Sequence, residues 1–109
     1  MASINFNELF DSLKTGVADL AKGTVTDYVG QATQEGQDTL DQMRADIEQW
    51  SKSIATGDMN TDDLKFLIEG RKELTEMRGL EQLGIAQIEL DKFKSGMIDL
   101  VIGGISKFI

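Results

Sequence analysis

Apolar residues recur along this chain at steps of three and four. Phe6, Phe10, Leu13, Val17, Leu20 and Tyr28 mark one stripe, with Thr24 filling the interval, and Leu40, Met43, Ile47, Trp50 and Ile54 resume it in strict alternation. Such steps place side chains on one face of an α-helix. Between the two runs Gln31 to Thr39 is polar, yet Ala32 and Gly36 stand where the stripe should pass. The pattern predicts one long helix over about residues 5–56, with Gly36 as the place where it would kink; two shorter helices are the alternative. A second stripe drifts through Leu64, Leu67, Leu74, Met77 and Leu80, then settles into Leu83, Ala86, Leu90, Phe93, Met97, Leu100, Gly104 and Phe108. It predicts a second helix over about 61–109.

The helix ends carry their own signals. Gly57, after Thr56, can take the left-handed conformation that closes a helix, and Asp58-Met59-Asn60 continues as a turn. Asn60 is placed to cap the next helix, with Asp63 reaching back to the cap and Met59 stapled onto Leu64. The same grammar opens the chain, where Asn5 is the cap, Glu8 the reciprocal acceptor, and Ile4 the staple onto Leu9. Two matching start signals imply two helices of roughly 75 Å each at 1.5 Å per residue. A turn at 57–60 makes them antiparallel neighbours in a single all-α hairpin domain spanning 1–109. Folding there sets Arg71 near Asp46, and Arg78 near Asp38 and Asp41, as interhelical ion pairs that fix register more than they stabilise.

A two-helix hairpin covers only one stripe of each helix, and Gly96 to Ile109 (GMIDLVIGGISKFI) is apolar nearly all round. A helix of that kind is buried in protein or in lipid. The sequence therefore predicts self-association, most simply a dimer of hairpins forming a four-helix bundle, or a larger helical oligomer of coiled-coil type. The expected interface comprises Phe6, Phe10, Leu13, Val17 and Leu20 from the first helix. Leu90, Phe93, Met97, Leu100, Val101, Ile105 and Phe108 come from the second. Gly16, Gly23 and Gly30 are seven apart, as are Gly96 and Gly103, a spacing that suits close approach of helices along one face.

Composition narrows the chemistry. The 109 residues include no Pro, no Cys and no His, but 11 Gly. Without Pro few turns are marked, and long helices are permitted. Without Cys and His there is no disulfide framework or thiol chemistry, and the commonest general base and metal ligand is missing. A net charge of −8 argues against nucleic acid, whose affinity comes mainly from neutralised phosphates. Asp58, Asn60, Asp62 and Glu69 occupy four ligand positions of an EF-hand loop, but the glycine position holds Asp63 and the rest reads as helix. An acidic first turn complementing the helix dipole is the better reading. No catalytic, cofactor or metal residue is assigned, and the chain is read as non-enzymatic.

A hairpin of this length with a central tryptophan superficially resembles the small secreted hairpin proteins of the WXG family. Trp50-Ser51-Lys52 lacks the glycine of that motif, however, and Trp50 lies inside a heptad, so it is read as a core or interface anchor. The expected function is that of a self-assembling structural or interaction protein: a filament, shell, secretion or phage assembly subunit, or an adaptor. The alternative is an amphipathic protein that lays its N- and C-terminal stripes on a lipid, granule or membrane surface. Its last 14 residues are too short to span a bilayer. The start MASINF lacks a positively charged region followed by an apolar core, which favours the cytoplasm and leaves signal-less secretion open.

Overall fold

The computed structural model describes residues 5–108, with side chains through Lys107. Among the described residues there are seven α-helices and no strand: α1 (Phe6–Thr24), α2 (Val29–Gln42), α3 (Arg44–Thr56), α4 (Thr61–Glu69), α5 (Lys72–Glu76), α6 (Arg78–Glu81) and α7 (Gln87–Phe108). The expectation of an all-α chain holds. The two uninterrupted helices do not: the chain reverses near residues 25–28, 57–60 and 82–86, giving four passes instead of two.

Side-chain pairings give the directions of the passes. From α1, Asn7 meets Arg44, Lys14 meets Gln37 and Asp41, and Val17 meets Gly36, so numbers rise in α1 as they fall in α2 and α3. Leu13 lies by Gly104, Gly16 by Leu100 and Leu20 by Gly96, which makes α7 antiparallel to α1 as well. Asp46 pairs with Arg71 and Glu35 faces Gly79, so α4–α6 return along α2 and α3. The molecule measures 46 × 24 × 20 Å.

The core explains why α7 tolerates apolar residues nearly all round. One face of α7 packs on α1 and another on α4 and α5, so Phe93, Met97, Val101 and Ile105 are fully buried while Ile98, Leu100 and Ile102 are half-buried between neighbours. Trp50 is buried on α3, as a core anchor. Burial of apolar area on this scale is the main force holding the passes together.

Cap chemistry is complete at Asn60 and half-complete at Asn5, where the expected return bond to the Glu8 carboxylate is not made. Asn5 Oδ1 accepts a hydrogen bond from the Glu8 backbone N–H at 3.2 Å. Asn60 and Asp63 form a complete capping box, at 2.9 and 3.1 Å. Gly57 closes α3 with φ 82°. The staple assigned to Ile4 lies outside the described residues, as do Ile109 and the Phe108 side chain.

The unforeseen breaks have other causes. The predicted kink at Gly36 is absent; Gly36 sits inside α2, and the bend lies at Met43, whose N–H is shared between Thr39 O and Leu40 O at 3.1 Å. The third pass breaks after Gly70 and again at Met77, which is 2% exposed and holds φ 38°, ψ 61°. That left-handed conformation is costly for a residue with a side chain. The breaks re-aim the apolar stripe: α4 turns Leu64 and Ile68 inward, and after the interruption Leu74, Met77 and Leu80 all reach the core. Gly84, with φ 78°, makes the last reversal.

Candidate interaction surface

The residues expected to meet a second chain are mostly buried within this one. Phe10, Leu13, Val17, Leu90, Phe93, Met97, Val101 and Ile105 belong to the core, and Phe6, Leu20 and Leu100 pack against its edge. The premise that one chain cannot cover these side chains fails because the additional reversals supply the missing helical neighbours. Phe6 and Phe10 also carry the Arg44 guanidinium over their rings, at 5.3 and 4.8 Å. Arg44 in turn donates to Asn7 Oδ1 at 2.9 Å.

The glycines divide. A Cβ on Gly16 would lie 2.6 Å from Leu100 Cδ1, and one on Gly96 would collide with Leu20, so these two do allow α1 and α7 to approach within the chain. Gly23, Gly30 and Gly103 have nothing within 4 Å of a built Cβ, so the close packing expected of them is absent. Heptad spacing reports a shared face but not whether anything occupies it. Two glycines outside that spacing matter more. Gly36 admits Val17, with a Cβ there lying 2.6 Å from Val17 Cγ1, 3.3 Å from Phe93 and 3.4 Å from Met97, and Gly104 admits Leu13.

Charged groups serve local roles. Arg71 Nη2 lies 2.8 Å from Asp46, as the hairpin register predicts. Arg78 instead pairs with Glu76 at 3.1 Å, and Asp41 with Lys14 at 3.0 Å, because α6 meets α2 near Glu35 rather than beside Asp38 and Asp41. α4 starts at Thr61 and ends at Glu69, and the Asp63 carboxylate accepts from the Asn60 N–H, so this stretch is a capped helix rather than a cation loop. No group of three or more metal-ligating side chains converges among the described residues. No described helix is long and apolar enough to cross a membrane.

Among the described residues, large apolar side chains outside the core are few. Phe66 is 79% exposed and its neighbour Leu67 40%, whereas Leu64 and Ile68 of the same helix are fully buried. α4 thus carries apolar side chains on a second, outward face. Leu67, expected on the inward stripe, lies at the edge of the buried face instead, because that face is set by Leu64 and Ile68 and the residue next to Ile68 points about 100° away from it. Phe66 belonged to no stripe, and its position two residues from both Leu64 and Ile68 was the available signal, since residues so spaced do not share a helix face. Beside these side chains a shallow, open depression of about 460 Å³ is lined by Phe66, Leu67, Glu69, Gly70 and Arg71. Ile88, 66% exposed, is isolated at the start of α7. Comparison with protein-family models, with curated proteins and with solved structures gives no match.

Proposed function

We propose that this is a non-enzymatic helical interaction protein that self-associates through the outward face of α4. The observation that carries the reading is the adjacent exposure of Phe66 and Leu67 on a helix whose other face is already buried. Leaving a Phe side chain in water forgoes about 2 kcal/mol of burial per copy, which a contact recovers. A second copy suits the patch because a two-fold axis sets an apolar face against its own like, Phe66 and Leu67 of one chain on those of the other. Arg71 at the rim is held by Asp46 of its own chain, and Asp62, Asp63 and Glu69 outnumber Lys65 on α4, so like charge opposes the contact and added salt should strengthen it. Two α3–α4 hairpins apposed across a two-fold axis would form an intermolecular four-helix contact. This keeps the idea of hairpins pairing but moves the interface from α1 and α7 to α4.

The contact is small, so weak association in the micromolar to millimolar range is expected. Light scattering on the wild type and on Phe66→Ser over that range tests it. Concentrated from the folded state without unfolding, the wild type should gain mass at once and lose it on dilution, and the variant should stay at one chain; equal association of both would remove α4 from the interface. The competing use, laying both apolar stripes on a lipid or granule surface, would require α1 and α7 to unpack, and no feature of the fold favours it.

A further inference from the structure

The three reversals of the chain are not equally encoded. The second is written by Gly57 at φ 82° and the Asn60–Asp63 capping box, and the third contains Gly84 at φ 78°. The first, Val25-Thr26-Asp27-Tyr28, has no positive-φ residue, no proline, and no side-chain cap at Tyr28. Val25 N–H still makes the helical bond to Ala21 O at 2.9 Å, and Ala32 N–H makes one to Tyr28 O at 2.9 Å. Between these, Tyr28 N–H reaches Val25 O at 2.9 Å in a tighter turn. A few backbone dihedrals therefore separate this reversal from a continuous helix running from α1 into α2. The apolar stripe passes through the same residues without a break in period.

α1 cannot leave its place alone. Its inner face, Leu9, Phe10, Leu13, Val17 and Ala21, is buried against α2 and α7, and the slot it vacates is equally apolar. Only an identical helix fits that slot, with Leu100 over a glycine at position 16 and Val17 over Gly36. We propose that when chains fold at high concentration the first reversal straightens and two copies exchange α1, giving a swapped dimer in which residues 6–56 form one bent helix antiparallel to its counterpart. The contacts of each α1 are retained, now between chains, so the two forms differ mainly in the hinge and in the entropy of association. Val, Thr, Asp and Tyr are weak helix formers, which keeps the closed monomer dominant when dilute. The exchange does not involve Phe66 or Leu67, so it stands or falls separately from the α4 contact.

The test uses the absence of native cysteine. In a Phe66→Ser background, which removes the α4 contact, Val17→Cys and Gly36→Cys place two thiols across the α1–α2 interface. The chain is unfolded, refolded at micromolar and at millimolar concentration, oxidised with diamide, and run on a non-reducing gel. Exchange predicts a single-chain band when dilute and a covalent dimer when concentrated. Intrachain cross-links at every concentration would overturn it. If the double-cysteine chain does not fold, the Phe66→Ser chain itself is refolded at millimolar concentration and diluted. A dimer that returns to monomer slowly supports exchange, and a monomer from the outset refutes it. Thr26→Ala with Asp27→Ala, which raises helix propensity in the hinge, should increase the dimer fraction several-fold, and three glycines inserted between Thr26 and Asp27 should reduce it. No response to either would count against the hinge.

Discussion

Gly103 and Gly104 are adjacent in α7 yet differ in what surrounds them. Gly104 meets Leu13, whereas Gly103 faces open space. Gly103→Ala should therefore raise stability by up to about 1 kcal/mol, the helix-propensity difference, in urea unfolding. Gly36→Ala should lower it by about 1–3 kcal/mol, because its Cβ would press on Val17, whose β-branched side chain is held in one helical rotamer. A neutral Gly36→Ala would mean that α1 and α2 shift freely past each other. The spacing of seven flagged Gly16 and Gly96 but could not separate them from Gly23, Gly30 and Gly103. Whether a glycine admits a neighbour depends on which helix lies opposite, and that is a tertiary fact. Gly36 and Gly104 were legible only as gaps in an apolar stripe.

At the level of elements, cap chemistry was the most readable signal. Asn5, Gly57 and Asn60 act where a local hydrogen bond or a positive φ is required, and a short sequence window contains everything needed to see it. Asn60→Ala should cost about 1 kcal/mol, measurable as a fall of several degrees in Tm. Asp46→Asn, which weakens the half-exposed pair with Arg71, should cost less than about 1 kcal/mol and lose its effect in high salt. The breaks at Val25–Tyr28, Met43 and Met77 carry neither glycine nor proline, so no local signal announced them. They accompany a path that brings Leu74, Met77 and Leu80 into the same core as Leu64 and Ile68. The drift of the stripe from Leu64 to Leu80 was the trace of that path. Absence of proline permits long helices without requiring them.

For the whole molecule, the extra reversals change what remains to be explained. Two straight helices would leave a broad apolar surface and demand partners; among the described residues, four passes bury most of that surface within one chain and leave the outward face of α4 and the lone Ile88. The all-α class and the closeness of Arg71 to Asp46 were visible in the sequence; for Trp50 the sequence leaves core and interface open, and burial within the chain makes it core. The exposed face of α4 was not, because it is defined by what the core fails to cover. The most direct test follows amide chemical shifts of the wild-type protein as concentration rises from micromolar to millimolar. Self-association through α4 predicts shifts that grow with concentration and cluster on residues 62–71, and that vanish in Phe66→Ser. Shifts confined to another face, or a spectrum unchanged across the range, would contradict the account.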